Sequence, residues 1–199
     1  MSDPREHPRR RPSAARERLL AAAIEHLSEH GVGDQSLRQL ASALDSSHRM
    51  LIYHFGSREA LLAEVVSAIE ARQAALLAEI VADGQDSPYE QGMQFWRRTV
   101  ADARRTGPLF FELAGQAMQG HPHAAALRSP DTAWLEPLAQ LWRRFGFPEG
   151  RAHHQARLNL AVARGLLLDL LLTGDEAAVE EAMRLFVETS MRQARGSRS

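Results

Sequence analysis

Seven residues in the span 36–58 are singled out as donors of hydrogen bonds or positive charge to an acceptor-rich, anionic surface: Ser36, Ser47, His48, Arg49, Tyr53, His54 and Arg58. An arginine presents a planar fork to a guanine edge or a phosphate, while hydroxyl and imidazole groups supply single bonds. The chemistry they suggest is recognition of duplex DNA rather than bond breaking. Other polar clusters are less organised. His121 and His123 lie two apart in a proline-containing stretch, and His153 and His154 are adjacent. Neither pair has the helical i, i+4 spacing of H-E-x-x-H, no cysteine is available, and no metal or other cofactor is expected. The chain has no glycine-rich phosphate loop and no G-x-S-x-G, so no catalytic residue is assigned and the protein is not read as an enzyme.

The donor-rich residues need elements to hold them. Leu37, Leu40, Ala41 and Leu44 recur at helical spacing, and Ser36 with Gln39 three residues later forms a capping box, which starts a short helix at Ser36. Asp45-Ser46-Ser47 follows at once: Asp tolerates left-handed backbone, and either serine can cap a new helix. That helix runs to Phe55, where Gly56 breaks it and Ser57 can cap the next. Leu51 and Phe55, four apart, pack inward together with Leu37 and Leu44, leaving the polar residues outside. Two short helices joined by a tight turn, donors on the second, make a helix-turn-helix, whose second helix enters the major groove.

The block Leu51-Ile52-Tyr53-His54-Phe55-Gly56-Ser57-Arg58-Glu59-Ala60-Leu61-Leu62, behind a first helix ending in Gly31, resembles the TetR family of bacterial transcription regulators. The similarity is specific over about residues 13–66. Three positions depart from the family's usual pattern: Ile52 replaces an aromatic, Arg58 replaces Lys, and Asp45 stands where Gly is common. Ile52 has no hydroxyl with which to hold a phosphate; Arg58 keeps the charge. The resemblance implies a homodimer bound to operator DNA and a larger C-terminal domain that takes a small, often apolar effector.

Composition bounds the alternatives. The 199 residues include 44% hydrophobic residues, enough for a sizeable core. No run has the length of a membrane helix, and the N-terminus is arginine-rich without an apolar segment, so the expectation is a cytoplasmic protein with no membrane partner. Zero cysteines suit a reducing compartment. Net charge is −1, so any positive field must come from where the arginines sit, not from their excess.

The remaining chain reads as helix throughout. Residues 1–12, with three prolines and Arg9-Arg10-Arg11, read as a flexible basic arm, either for phosphate or minor-groove contact or simply a solvated tail. The first helix begins near Ser13 and ends in a Schellman cap, Gly31 at C′ and Val32 touching Leu27. A fourth helix extends from Ser57 to about Asp83, and Gly84-Gln85-Asp86 ends it. Ser87-Pro88-Tyr89-Glu90 opens another helix, which Gly107-Pro108 breaks; a short apolar helix follows over 109–120. Ser129-Pro130 marks a loop. Helices over 134–145, 151–173 and 176–195 complete the chain, Pro137 either kinking the first of these or sitting in its first turn. No β-branched alternation occurs.

The fold class is therefore all-α, with a basic arm (1–12), a three-helix reading head (13–56) and a helical effector-binding and dimerisation domain (57–199). Met93, Trp96, Phe110, Phe111, Met118 and Trp134 could line an effector pocket or simply fill a core. The helix over 151–173 is apolar on most sides and must be covered on most sides. The last helix and a second subunit are the expected cover, with Leu160, Arg164, Leu167, Leu171, Val179, Met183 and Phe186 at the interface. The function expected is that of a ligand-responsive regulator, a repressor released from a pseudo-palindromic operator. An all-helical enzyme and an architectural DNA-binding protein without an effector remain as alternatives.

Overall fold

A computed structural model describes residues 13–83, 87–128 and 134–196. The basic arm, the break at 84–86 and the loop at Ser129-Pro130 lie outside these residues. The order is α1 (Ala14–His30), α2 (Leu37–Ala43), α3 (His48–Phe55), α4 (Arg58–Asp83), α5 (Pro88–Met118), a 3₁₀ segment (Pro122–Arg128), α6 (Leu135–Arg144), α7 (Glu149–Thr173) and α8 (Glu176–Gly196). No strand occurs among the described residues.

Local chemistry sets most of the boundaries. Ser13, Ser36, Ser47 and Ser87 each accept a backbone N–H of the first turn they cap, and Ser36 and Gln39 close the full capping box. Each such cap is worth about 1 kcal/mol. Pro137 lies in the first turn of α6, where its missing N–H costs nothing. Gly174 takes the left-handed conformation that ends α7.

The expected break at Gly107-Pro108 does not exist: α5 runs through it unbroken. An internal proline costs about 3 kcal/mol, so packing must supply more. Met93, Trp96, Val100, Ala103, Leu109, Leu113 and Ala117 continue one buried face across the break. Gly107 lets α7 approach closely there: a Cβ would come 2.8 Å from Leu171 Cδ1, and that side chain would have to shift.

The end of α1 also differs from expectation. Gly31 N–H donates to Leu27 O at 2.9 Å, but Val32 N–H does not complete a Schellman pair. It donates instead to the Glu112 carboxylate of α5, at 2.8 Å. A charged acceptor outcompetes a helix-end carbonyl.

Three apolar clusters hold the fold. Leu27, Leu40, Leu51, Leu61 and Val65 form the core of the head, and Leu109 and Leu113 of α5 belong to it. Leu77, Trp142 and Phe147 pack with Ala152 and Ala156 of α7. Met93, Trp96 and Val100 pack with Leu170, Val179 and Met183 of α7 and α8.

Candidate DNA interface and effector cavity

The α2–α3 turn places the second short helix. Asp45 has φ +47°, a left-handed conformation, and Ser46 N–H reaches back to Ala41 O at 2.9 Å, which closes α2. Ser47 then accepts Met50 N–H at 3.1 Å and opens α3. Leu51 and Phe55 are buried beneath it. The opposite face exposes His48, Arg49, Met50, Ile52 and Tyr53, with Tyr53 76% exposed. Ser36 and Ser47 are at the surface, although both side chains already serve as caps. Ile52, the residue that departs from the aromatic pattern, is 44% exposed and adds apolar area instead of a donor.

One of the seven predicted DNA-facing residues points elsewhere, and that expectation needs correction. Arg58 turns back to the α1–α2 loop: Nε donates to Gln35 O at 2.6 Å and Nη2 to Gly33 O at 2.7 Å. Carbonyl oxygens thus supply the partner its place at a helix N-terminus demanded. His54 is half-buried, its Nε2 shielded from solvent, and its ring lies edge-on to Tyr53 at 4.9 Å.

A residue outside the predicted set fixes the reading helix. Arg16 of α1 donates Nε to His54 O at 3.2 Å, pairs with Glu64 of α4 and covers the Phe55 ring at 5.3 Å. It joins α1, α3 and α4 through one side chain. Nothing in the local sequence sets it apart from Arg18, two residues on.

The head is also clasped from behind. Glu112 of α5 accepts Val32 N–H at 2.8 Å and Gly33 N–H at 3.2 Å. Gln116 donates to Glu112 at 3.4 Å and bonds His123 Nε2 at 2.6 Å. His123 is buried, and that burial, with His121 nearby, holds its pKa below the ordinary 6.5. Among the described residues no group of three His, Asp or Glu is placed to hold a metal ion.

Behind the clasp lies a cavity of about 90 Å³ between α4, α5 and α7. Of the six predicted pocket residues, Trp96, Phe110, Phe111 and Trp134 line it. Met93 and Met118 do not. Met93 is sealed in the core against α7 and α8, and Met118 is 83% exposed at the end of α5. The polar lining is Glu70, Gln73, Thr99, Thr106 and Arg164. Arg164 Nη2 is 3.5 Å from Glu70 Oε1, and its guanidinium lies over the Phe110 ring at 5.5 Å. Burial raises the Glu70 pKa, which Arg164 offsets only in part; burial likewise lowers that of Arg164.

The predicted interface residues are turned into the protomer. Leu160, Arg164 and Leu167 line the cavity, Leu171 meets Gly107, Val179 and Met183 are buried, and Phe186 packs on Trp142. Val179 and Met183 are buried and the other five only partly so, and no predicted interface residue stands fully outward. One residue of rotation away, Leu158, Ala161, Gly165, Leu168 and Leu172 are all exposed, at spacings of 3, 4, 3 and 4.

Comparison with known proteins follows this geometry. Residues 19–65 match the family described as bacterial regulatory proteins, tetR family. No curated protein matches the chain. Among solved structures, a TetR transcriptional regulator from Legionella pneumophila shares 23% identity and superposes with a TM-score of 0.70, covering 89% of this chain and 97% of that one. SmeT, the repressor of the Stenotrophomonas maltophilia multidrug efflux pump SmeDEF, has 18% identity and a TM-score of 0.65, over 92% and 91% of the two chains. The multidrug binding protein EbrR, solved with ethidium, has 21% identity and a TM-score of 0.65, over 88% and 99%. Residues 19–65, which hold the helix-turn-helix, thus match the tetR-family model, and the chain has the all-α fold of solved TetR-family transcriptional regulators.

Proposed function

We propose that this protein is a homodimeric repressor that leaves a pseudo-palindromic operator when a small apolar or amphipathic molecule fills the α4–α5–α7 cavity. Ser47, His48, Arg49 and Tyr53 carry the DNA contact, helped by Ser36. Residues 13–56 act as the reading head and 57–199 as the effector and dimer domain. One observation carries the proposal: Phe110 and Phe111 line the cavity, and the next residue on the same helix, Glu112, holds the head by its α1–α2 loop.

The cavity supports a switch because it is small. Sites for drug-sized ligands are roughly 300–1,000 Å³, against about 90 Å³ here. Such a ligand must move α5 away from α4 or α7, and the Glu112 clasp moves with α5. The shift in DNA affinity is limited to the ligand's differential affinity for the two conformers. EbrR and SmeT favour this reading over an effector-free architectural role, the first through the ethidium in its structure, the second as an efflux-pump repressor.

The dimer is proposed on the exposed stripe of α7, Leu158 to Leu172, with Leu185 of α8, which is 59% exposed. Its 3-4 spacing suits helix-on-helix packing, and Ala161 with Gly165 permits close approach.

The switch is tested with apolar compounds and duplex DNA enriched by the protein itself. All three tryptophans, Trp96, Trp134 and Trp142, lie outside the head, and two of them line the cavity. A compound that changes their emission should lower DNA affinity over the same concentration range. Compounds that perturb emission but never DNA binding would remove the switch from the account.

A further inference from the structure

Three polar atoms around the cavity are shut off from solvent and have no hydrogen-bond partner: Glu70 Oε1, Gln73 Oε1 and Trp96 Nε1. Such groups are rare in folded proteins, and several converging on one cavity point to a ligand that completes them. Glu70 and Gln73 are three apart on α4 and share a face; both atoms are acceptors. Trp96 N–H, from α5, is a donor. Arg164 does not satisfy Glu70: at 3.5 Å the pair is electrostatic and forms no hydrogen bond, and the guanidinium is occupied by the face of Phe110.

The surrounding wall is aromatic. Phe95 and Trp134 meet edge to face at 5.8 Å, and Phe110 and Phe111 at 5.3 Å. An aromatic wall attracts flat apolar bodies and the positive charge that they carry. The two acceptors on α4 thus require a donor, one carrying positive charge beside the Glu70 carboxylate and joined to an aromatic body; the Trp96 N–H is a separate donor that such an amine does not fill.

We infer that the cavity selects lipophilic aromatic amines, whose protonated nitrogen lies between Glu70 Oε1 and Gln73 Oε1 and displaces Arg164 from Glu70. The inference rests on the cavity being the effector site and adds the chemical class of the effector. It also gives the ligand a direct hold on the link between helices. Glu70 belongs to α4, which enters the head, and Arg164 to α7, which carries the exposed stripe. An ammonium on Glu70 replaces a contact between those helices with one to the ligand.

The test is calorimetry on the full chain with three ligands of one shape: 1-naphthylmethylamine, 1-naphthalenemethanol and 1-naphthoate. The amine should bind about tenfold or more tighter than the alcohol, since charge-assisted hydrogen bonds are about twice as strong as neutral ones. The carboxylate should bind weakest of the three. Glu70→Gln should remove that advantage, bringing the amine to within about twofold of the alcohol measured on the same variant. The comparison in the unaltered protein stands whether or not the variant folds. An alcohol or carboxylate that binds as tightly as the amine would overturn the inference, as would an unchanged amine affinity in folded Glu70→Gln or no binding by any of the three. DNA affinity is measured separately. Amine binding that leaves it unchanged would defeat the switch described above while the ligand class stands.

Discussion

Arg49 and Tyr53 are the side chains whose loss should be felt most directly at DNA. Both stand on the outward face of a helix that is capped by Ser47 and anchored through Leu51 and Phe55, and Arg16 fixes its C-terminal end. Arg49→Ala and Tyr53→Ala should each weaken operator binding, by about 1–3 kcal/mol for an arginine that reads a base. Circular dichroism should remain unchanged, because neither side chain is buried. A loss confined to one base pair marks base reading, whereas a uniform loss across sequences marks phosphate contact. Unchanged affinity in both variants would displace the reading helix from its assigned role. At this scale the sequence was legible in residue type but not in direction. Arg58 has the charge of a phosphate ligand, yet the loop at 33–35 folds back and offers it two carbonyls. That loop's path depends on Glu112, eighty residues beyond Val32, and no local pattern contains it.

The elements were more legible than their junctions. Capping serines and apolar spacing marked the starts of α1, α2, α3 and α5 because those signals are local. The continuation of α5 through Gly107-Pro108 was not legible. It depends on burial of one long face and on Leu171 sitting where a side chain at position 107 would be. That continuity has a functional consequence: a single rigid helix joins the cavity wall to the head clasp. Glu112→Ala leaves the N–H groups of Val32 and Gly33 without their carboxylate, and hydrogen bonds to charged groups contribute about 1.5–3 kcal/mol each. The expected result is a lower melting temperature together with weakened coupling. DNA binding should survive, while the compound that releases DNA from the native protein should do so only poorly. Full release with undiminished cooperativity in a folded Glu112→Ala protein would show that the signal does not pass through this clasp.

At the scale of the whole molecule, α7 divides its apolar residues between two sides. Leu160, Leu167 and Leu170 serve the protomer, and Leu158, Leu168 and Leu172 face outward. The sequence showed that the helix needs cover on most sides; it did not show which side the protomer itself covers, because that depends on how α5 and α6 pack against it. The two sides make opposite predictions. Leu168→Glu with Leu172→Glu should give a folded monomer by sedimentation and circular dichroism, since both positions are exposed, Leu172 at 78%. Leu167→Glu with Leu171→Glu places charge in the cavity wall and against α5, both partly buried, and should lower the melting temperature or unfold the protein, because desolvating a charge is costly. A persistent dimer of the outward variant would put the interface elsewhere. Two reading heads joined about a two-fold axis imply a DNA site with the same symmetry, its half-sites about one helical turn or a multiple of it apart. Selection from random duplex DNA, with the full chain at physiological salt, is therefore the most direct measurement. The account predicts an enriched consensus of two inverted half-sites that Arg49→Ala no longer recovers. An unpatterned pool, or a single half-site without an inverted partner, would contradict it.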